Sequence, residues 1–298
     1  MRLILPLPGQ EAMATRLAEL GRHELGAVEM RRFPDGESYV RIASDVSGRH
    51  VDLVCTLARP DERFLGLVFA AEAVRDLGAA SVRLIAPYLA YMRQDRRFKP
   101  GEAVTSATFA RLISGAFDAL VTVDPHLHRY PALTAVYTIP AQALHAADLI
   151  ADWIADQVEQ PLVVGPDEES RQWVSAVAAR AGAPHVVLHK DRHGDRDVSI
   201  TVPDLGIFRG RRPVLVDDII SSGRTMIEAA RQLVAQGMPK PVCVAVHALF
   251  ANDAYPQLLA VADRVVTTDT VPHPSNAVSV ALLIAAQSEG GDVPSRRL

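Results

Sequence analysis

The sequence predicts an α/β protein of two similar lobes, each a mostly parallel sheet flanked by helices. Three observations carry that reading. Short β-rich runs alternate with longer Ala/Leu/Arg stretches whose apolar residues recur at helical spacing. Strands that alternate with helices favour parallel crossover units over hairpins. The alternation also happens twice, and each half sets charged residues just past a strand: "APYLAYMRQD" and "VTVDPH" in the first, "VVGPD" and "VLVDD" in the second. Open α/β sheets bind ligands at those strand ends.

Taken in order, the apolar start "MRLILPLPGQ" is broken by Pro6 and Pro8, too short for a signal peptide, and reads as a first strand over 2–5. A helix follows over 10–20. The Val-rich run 51–56 is a strand, 64–77 a helix, 82–87 a strand, 106–116 a helix and 119–123 a strand. After "VYTIP" the pattern restarts: helix 143–157, strand 162–165, helix 169–181 and strand 185–189. Strand 214–217, helix 225–237, strand 241–248, helix 254–262 and strand 264–268 complete the series. We place the boundary near 140–149, giving domains 1–145 and 146–298. The last stretch, "SEGGDVPSRRL", reads as a frayed tail.

Composition narrows the function classes. At 298 residues and 49% hydrophobic, the chain can bury one large core or two modest ones. A net charge of -4 gives no global attraction to nucleic acid. No apolar run is long enough to span a membrane. Cys55 and Cys243 both sit in strand-like runs, so buried free thiols and a reducing cytoplasm are expected. Of 31 basic residues only Lys99, Lys190 and Lys240 are lysines. Codon bias accounts for that, yet it makes each lysine worth inspecting.

The strongest local signal is "PVLVDDIISSGRTM", Pro213 to Met226. Adjacent aspartates at a strand end repel each other and need a metal, a sugar or a cation. Gly223 lets the loop turn with positive φ. Backbone N–H groups, the hydroxyls of Ser221, Ser222 and Thr225, and the positive end of the next helix then suit a phosphate dianion. Asp217 and Asp218 suit vicinal hydroxyls or hydrated Mg²⁺. A ribose 5-phosphate carries both features. An ordinary capped turn explains the hydroxyls but not the double Asp.

"VLVDDIISSGRT" resembles the loop shared by type I phosphoribosyltransferases and ribose-phosphate diphosphokinases. Three further segments favour the diphosphokinase family. "RRFPDGESYVRI" resembles that family's ATP-binding segment, which often serves a neighbouring subunit. The resemblance implies that Phe33 stacks on adenine and that Asp35, Gly36 and Glu37 contact the nucleotide, although Pro34-Asp35-Gly36 also reads as a plain hairpin turn. "APYLAYMRQDRRFKPGEAVTSATFARLI" is similar to the run in which Arg93 and Gln94 hold ATP. "VTVDPHLHRY" resembles a metal-binding strand end with Asp124 and His126 as ligands; His128 is extra and unassigned.

In the second half, "VVGPDEES" resembles the Pro-Asp loop, where Asp167 holds a metal or the ribose. Lys190 and Arg192, in "HKDRHGD", fall where the family carries a catalytic Lys-x-Arg pair on a flap. The loop Ser221-Ser222-Gly223-Arg224-Thr225 takes the sugar phosphate. The resemblance thus implies two phosphoribosyltransferase-like lobes, Mg²⁺ as cofactor, ATP and ribose 5-phosphate as substrates, and a homo-oligomer. Ser221 replaces a third Asp of many members, as in archaeal-like ones. Glu168 and Glu169 replace a glycine-rich turn and have no assigned role, and Asp191 interrupts the usual basic flap. The competing readings are a phosphoribosyltransferase, which needs only one lobe, and a catalytically silent regulatory subunit.

Overall fold

The structure is a computed structural model, and it describes residues 1–192, 198–201 and 203–287. The chain divides into two units, one formed by Met1–Leu144 with the segment from Val280 onward, the other by His145–Ser279. The first unit runs β1 (Leu3–Pro6), α1 (Glu11–Gly21), β2 (Glu24–Leu25), β3 (Val28–Arg32), β4 (Ser38–Ile42), β5 (His50–Val54), α2 (Pro60–Asp76), β6 (Ser81–Ala86), α3 (Thr105–Ala116), β7 (Ala119–Val123) and β8 (Ala141–Leu144). Its six-stranded parallel sheet has the order β2-β1-β5-β6-β7-β8. β3 and β4 form a separate antiparallel hairpin, closed by the pair Arg32 and Ser38.

The second unit repeats the plan. It runs α4 (Ala147–Gln157), β9 (Pro161–Gly165), α5 (Arg171–Ala181), β10 (His185–Val187), β11 (His189–Arg192), β12 (Val198–Thr201), β13 (Arg212–Ile220), α6 (Arg224–Ala235), β14 (Val242–Ala248), α7 (Ala254–Val261), β15 (Arg264–Thr268) and β16 (Asn276–Val278). Its parallel sheet has the order β10-β9-β13-β14-β15-β16. A last helix, α8 (Ala281–Ala285), packs on α1 and so belongs with the first unit, although the sequence reading carried the second domain to its end.

The central strands explain why parallel sheets form. β6, β7 and β14 are buried along their whole length, as strands covered by helices on both faces must be. Charged groups also lie inside this core, Asp52 the most deeply buried among those the structure describes. Asp52 on β5 is fully buried and accepts from Arg2 Nε at 2.8 Å, Arg83 Nε at 2.9 Å and Arg83 Nη2 at 2.6 Å. Such a group is tolerated only when paired. In the second unit, Leu215 and Cys243 of the sheet pack with Met226, Ile227 and Leu233 of α6, fixing that helix beneath the loop before it.

Both cysteines are free and buried, and burial pushes each thiol up to about 12. Among the described residues no helix is long and apolar enough to cross a membrane.

Candidate active site

In the second unit, β9 and β13 are neighbours at the point where strand order reverses, and their ends gather the predicted sugar residues. β13 is longer than expected. Asp217 and Asp218 lie within it, since pairing with β14 resumes at Ile219 with His247 and Ile220 with Ala248. Charge ended the apolar run in the sequence, but two isoleucines extend the strand beyond it. The Asp218 N–H donates to Asp217 Oδ1 at 3.0 Å. The Asp217 carboxyl is raised well above its ordinary value, first by desolvation and then by the charges of Asp218 and Asp167. The negative charges of Asp218 and Asp167 thus bear on Asp217, a repulsion that a cation or a set of hydroxyl donors would relieve.

The chain then turns through Ser221 to Gly223 and enters α6. Gly223 is the N-cap at φ 68, a left-handed conformation that costs a side-chain-bearing residue about 1 kcal/mol or more. No side chain caps α6, so its N-terminus turns the positive end of the helix dipole toward the loop. Ser222 and Arg224 are exposed, Ser221 and Thr225 half-buried. The backbone of the next loop ties this turn down, as Ala251 N donates to Ser221 O at 3.0 Å and Phe250 N to Ile220 O at 3.0 Å. A helix N-terminus directly after two adjacent carboxylates suits a phosphorylated sugar.

Asp167 follows β9 in extended conformation, half-buried. Gly165 lets the loop fold back closely, because a Cβ there would meet Ser170 Oγ at 2.5 Å and Val174 Cγ2 at 2.8 Å. Ser170 Oγ in turn donates to Asp167 O at 2.6 Å, fixing the turn. Glu168, left without a role by the sequence, pairs with Arg171 through Nε at 2.8 Å and Nη2 at 2.7 Å, and its Oε1 lies 3.1 Å from His189 Nδ1. It is thus neutralised locally. The backbone of Lys190 and Arg192 lies on β11, paired with Ile200 and Val198 of β12. Their side chains, and that of Glu169, lie outside the described residues.

In the first unit, the run after β6 is pinned from several sides. Arg93 is exposed and Gln94 half-buried. Gln94 O accepts from Ser106 N at 3.3 Å, at the start of α3. Asp95, with its side chain only 2% exposed, accepts from Arg129 Nη1 at 2.9 and 3.1 Å. Tyr130 Oη reaches Asp95 O at 3.4 Å and Ser106 Oγ at 3.0 Å. These contacts join the Arg93–Gln94 run to the segment after β7 that carries Asp124 and His126. Asp124 is buried with φ 35, an uncommon conformation outside glycine. The rings of His126 and His128 meet edge-on, with centroids 3.9 Å apart. The sequence had left His128 unassigned.

Phe33 and Asp35-Gly36-Glu37 form the turn of the β3–β4 hairpin. The hydrogen bonds from Gly36 N to Phe33 O at 2.9 Å and from Glu37 N to Asp35 Oδ1 at 3.2 Å give Asp35 a turn-forming role beside any ligand role. Phe33 stays 39% exposed, and the Arg31 guanidinium lies 4.7 Å from its ring and 4.2 Å from that of Tyr39.

Among the described residues no group of three or more His, Cys, Asp or Glu could hold a metal by itself. Mg²⁺ fits such a chain better than zinc does. It retains waters and takes one or two carboxylates plus substrate phosphates, and Asp167, Asp217 and Asp218 offer oxygen donors, the Asp217 carboxyl being raised by burial and by the charges of the other two.

Comparison with known proteins identifies the family. A model of the N-terminal domain of ribose phosphate pyrophosphokinase matches residues 3–116, and one of the phosphoribosyl transferase domain matches residues 132–284. The ribose-phosphate pyrophosphokinase of Methanopyrus kandleri is 40% identical over 281 residues, covering 93% of this chain and 95% of that protein. The chain belongs to the ribose-phosphate pyrophosphokinase family. The pyrophosphokinase of Methanothermobacter thermautotrophicus is 34% identical over 95% of this chain and 98% of its own length. The crystal structure of phosphoribosylpyrophosphate synthetase from Mycobacterium smegmatis, 24% identical, has the same two-lobed pyrophosphokinase fold, with a TM-score of 0.81 over 96% of this chain and 97% of that one.

Proposed function

We infer that the chain carries its family's activity as a ribose-phosphate diphosphokinase. It moves the diphosphoryl group of ATP onto the C1 hydroxyl of ribose 5-phosphate, giving 5-phosphoribosyl 1-diphosphate and AMP. The observation that carries this is the junction of β13 and α6, where a helix N-terminus without a side-chain cap follows directly on Asp217 and Asp218. A type I phosphoribosyltransferase would use that junction too, but has no use for the Phe33–Glu37 hairpin or the Arg93–Gln94 run.

In this reading the sugar phosphate accepts hydrogen bonds from the Ser221–Thr225 loop, including the Gly223 and Arg224 backbone, while Asp217 and Asp218 accept from the ring hydroxyls. Arg93 gives ATP charge-assisted contacts that a lysine would not reproduce, and Gln94 reads the adenine edge. Phe33 offers a stacking face, with Asp35, Gly36 and Glu37 beside it. The C1 hydroxyl oxygen bonds to the β-phosphorus and gives its proton to water, as the bond from that phosphorus to the α–β bridging oxygen breaks and AMP leaves with the electron pair. The chain contributes position and charge stabilisation. Lys190 and Arg192 neutralise the non-bridging oxygens. When bound, Mg²⁺ would neutralise phosphate charge and orient the sugar; Asp124 and His126 of the first unit are proposed to hold one ion, and Asp167 of the second unit a second ion or the ribose.

We place the protein in the cytoplasm, on the support of its two buried free thiols. We also take it to be a homo-oligomer, because Phe33, Leu65 and Phe69 are 39%, 60% and 46% exposed in the single chain. The domain limits 1–145 and 146–298 remain our division of the chemistry into an ATP half and a ribose half. A coupled assay for AMP release, run with and without ribose 5-phosphate, tests the activity. Release that depends on the sugar supports it, and folded protein that binds the sugar yet releases no AMP refutes it.

A further inference from the structure

A cavity of about 270 Å³ opens in the first unit at the C-terminal ends of β1 and β5. Leu7, Pro8 and Cys55 line it from the strand ends, and Arg31, Arg32 and Arg63 from the hairpin and α2. Its position has a counterpart in the other unit. Both sheets have one topology, so the β1/β5 junction of the first corresponds to the β9/β13 junction of the second. In each, the second of those strands leads into a helix, α2 or α6. Each helix starts behind a left-handed N-cap, Arg59 at φ 53 and Gly223 at φ 68, and neither has a side-chain cap. The cavity therefore stands where the sugar-phosphate loop stands in the second unit.

The chemistry of the two junctions differs. Where β13 carries Asp217 and Asp218, the end of β5 continues as Cys55 and Thr56, both buried and without charge. Arginine supplies the charge instead. Arg32 donates to Gly36 O and Glu62 O, each at 3.0 Å, and Arg63 to Pro8 O at 3.0 Å. Arg31 rests on the Phe33 and Tyr39 rings. Among the described residues no carboxylate pairs with any of the three. Each guanidinium has five donors, so donors remain for an anion. Glu62 is the acidic residue of the lining, which leaves the cavity a positive excess.

We propose that this cavity is a second anion site, taking a phosphate group held by Arg31, Arg32 and Arg63. Phosphate geometry matches forked guanidinium donors, and without a paired carboxylate the site has no means of selecting sugar hydroxyls. The group can arrive as free inorganic phosphate or as the phosphate of a small ester. The site is additional to the diphosphoryl transfer chemistry and does not rest on it.

The test is calorimetric titration of the full chain, as wild type, Arg63→Ala, Arg31→Ala and Arg93→Ala, with inorganic phosphate and with ribose 5-phosphate. Thermal melts confirm folding. Arg31 is exposed, so its variant serves if Arg63→Ala, which loses the bond to Pro8, is unstable. The expected result is an anion site that weakens about tenfold or more in Arg63→Ala and Arg31→Ala but not in Arg93→Ala. If an ester is taken, ribose 5-phosphate fills two sites in wild type and one in Arg63→Ala. If only free phosphate is taken, it still binds once ribose 5-phosphate is saturating. Unchanged affinity for both ligands in both cavity variants overturns the proposal, as does loss in Arg93→Ala alone. Because AMP release is a separate readout, failure here leaves the catalytic reading standing.

Discussion

Arg129→Met removes the guanidinium from Asp95 and keeps most of the side-chain volume. The two partners differ in exposure, 2% for the Asp95 side chain and 42% for Arg129. Exposed ion pairs contribute up to about 1 kcal/mol, whereas breaking a fully buried pair costs about 3–5. This mixed pair falls between, at about 1–3 kcal/mol, because the carboxylate left behind is buried while the lost cation was half in water. Asp95 follows Arg93 and Gln94 directly, so the run can recover solvation only by moving those residues. If all of that energy is expressed in placing the ATP contacts, KM for ATP rises roughly 5- to 150-fold. KM for ribose 5-phosphate should stay near wild type, and Arg129→Lys should recover part of the loss. Steady-state AMP release with each substrate varied in turn reads all three. An unchanged KM for ATP, with only a lowered melting temperature, would show that the pair merely holds the fold.

Three other outcomes follow from the same structure. Asp217→Asn should stabilise the metal-free, ligand-free protein while lowering turnover by about two to three decades. The Asp217 carboxyl is raised in the folded state, so its contribution to stability is full below the ordinary carboxylate range and is lost as pH rises through the folded value. Melts in chelator across pH should therefore show wild type losing stability relative to Asp217→Asn as pH rises, and a parallel course would contradict the carboxylate cluster. Asp52→Ala takes from Arg2 and Arg83, both buried, the carboxylate they share and should cost about 3–5 kcal/mol in thermal unfolding; a shift below about 1 kcal/mol would mean that water replaces the carboxylate. Gly165→Ala should destabilise by about 1–3 kcal/mol and raise KM for ribose 5-phosphate, because its Cβ displaces Ser170 from Asp167.

What the sequence made legible tracks how locally each feature is encoded. Buried strands such as β7 and β15 read directly, since an apolar run bounded by turns has one interpretation in an α/β chain. Edge strands did not: β2 has two residues, both exposed, and β16 has three, too short for any period. The β3–β4 hairpin was visible only as its Pro-Asp-Gly turn, because its half-exposed residues give a weak alternation. α2 starts four residues before the expected Phe64. Pro60 at its first position, with Asp61 and Glu62 after it, was the available signal.

At the candidate site, local turns such as Ser221–Thr225 were readable from composition, Gly223 at positive φ included. Pairings across distance were not. Nothing in the order of residues announces that Arg129 serves Asp95, that Glu168 is neutralised by Arg171, or that His128 packs on His126. The roles of Lys190 and Arg192 came from resemblance to the family, since the flap has no local pattern that sets it apart from an exposed hairpin.

The most direct test of the central claim is ³¹P NMR of a reaction mixture holding the protein, ATP, Mg²⁺ and ribose 5-phosphate. Transfer of an intact diphosphoryl group predicts that ATP resonances give way to AMP and a sugar diphosphate in equal amounts, with no ADP. Appearance of ADP with a ribose bisphosphate, or of ADP with inorganic phosphate, would contradict the account, because the bond broken would then lie between the β- and γ-phosphorus atoms.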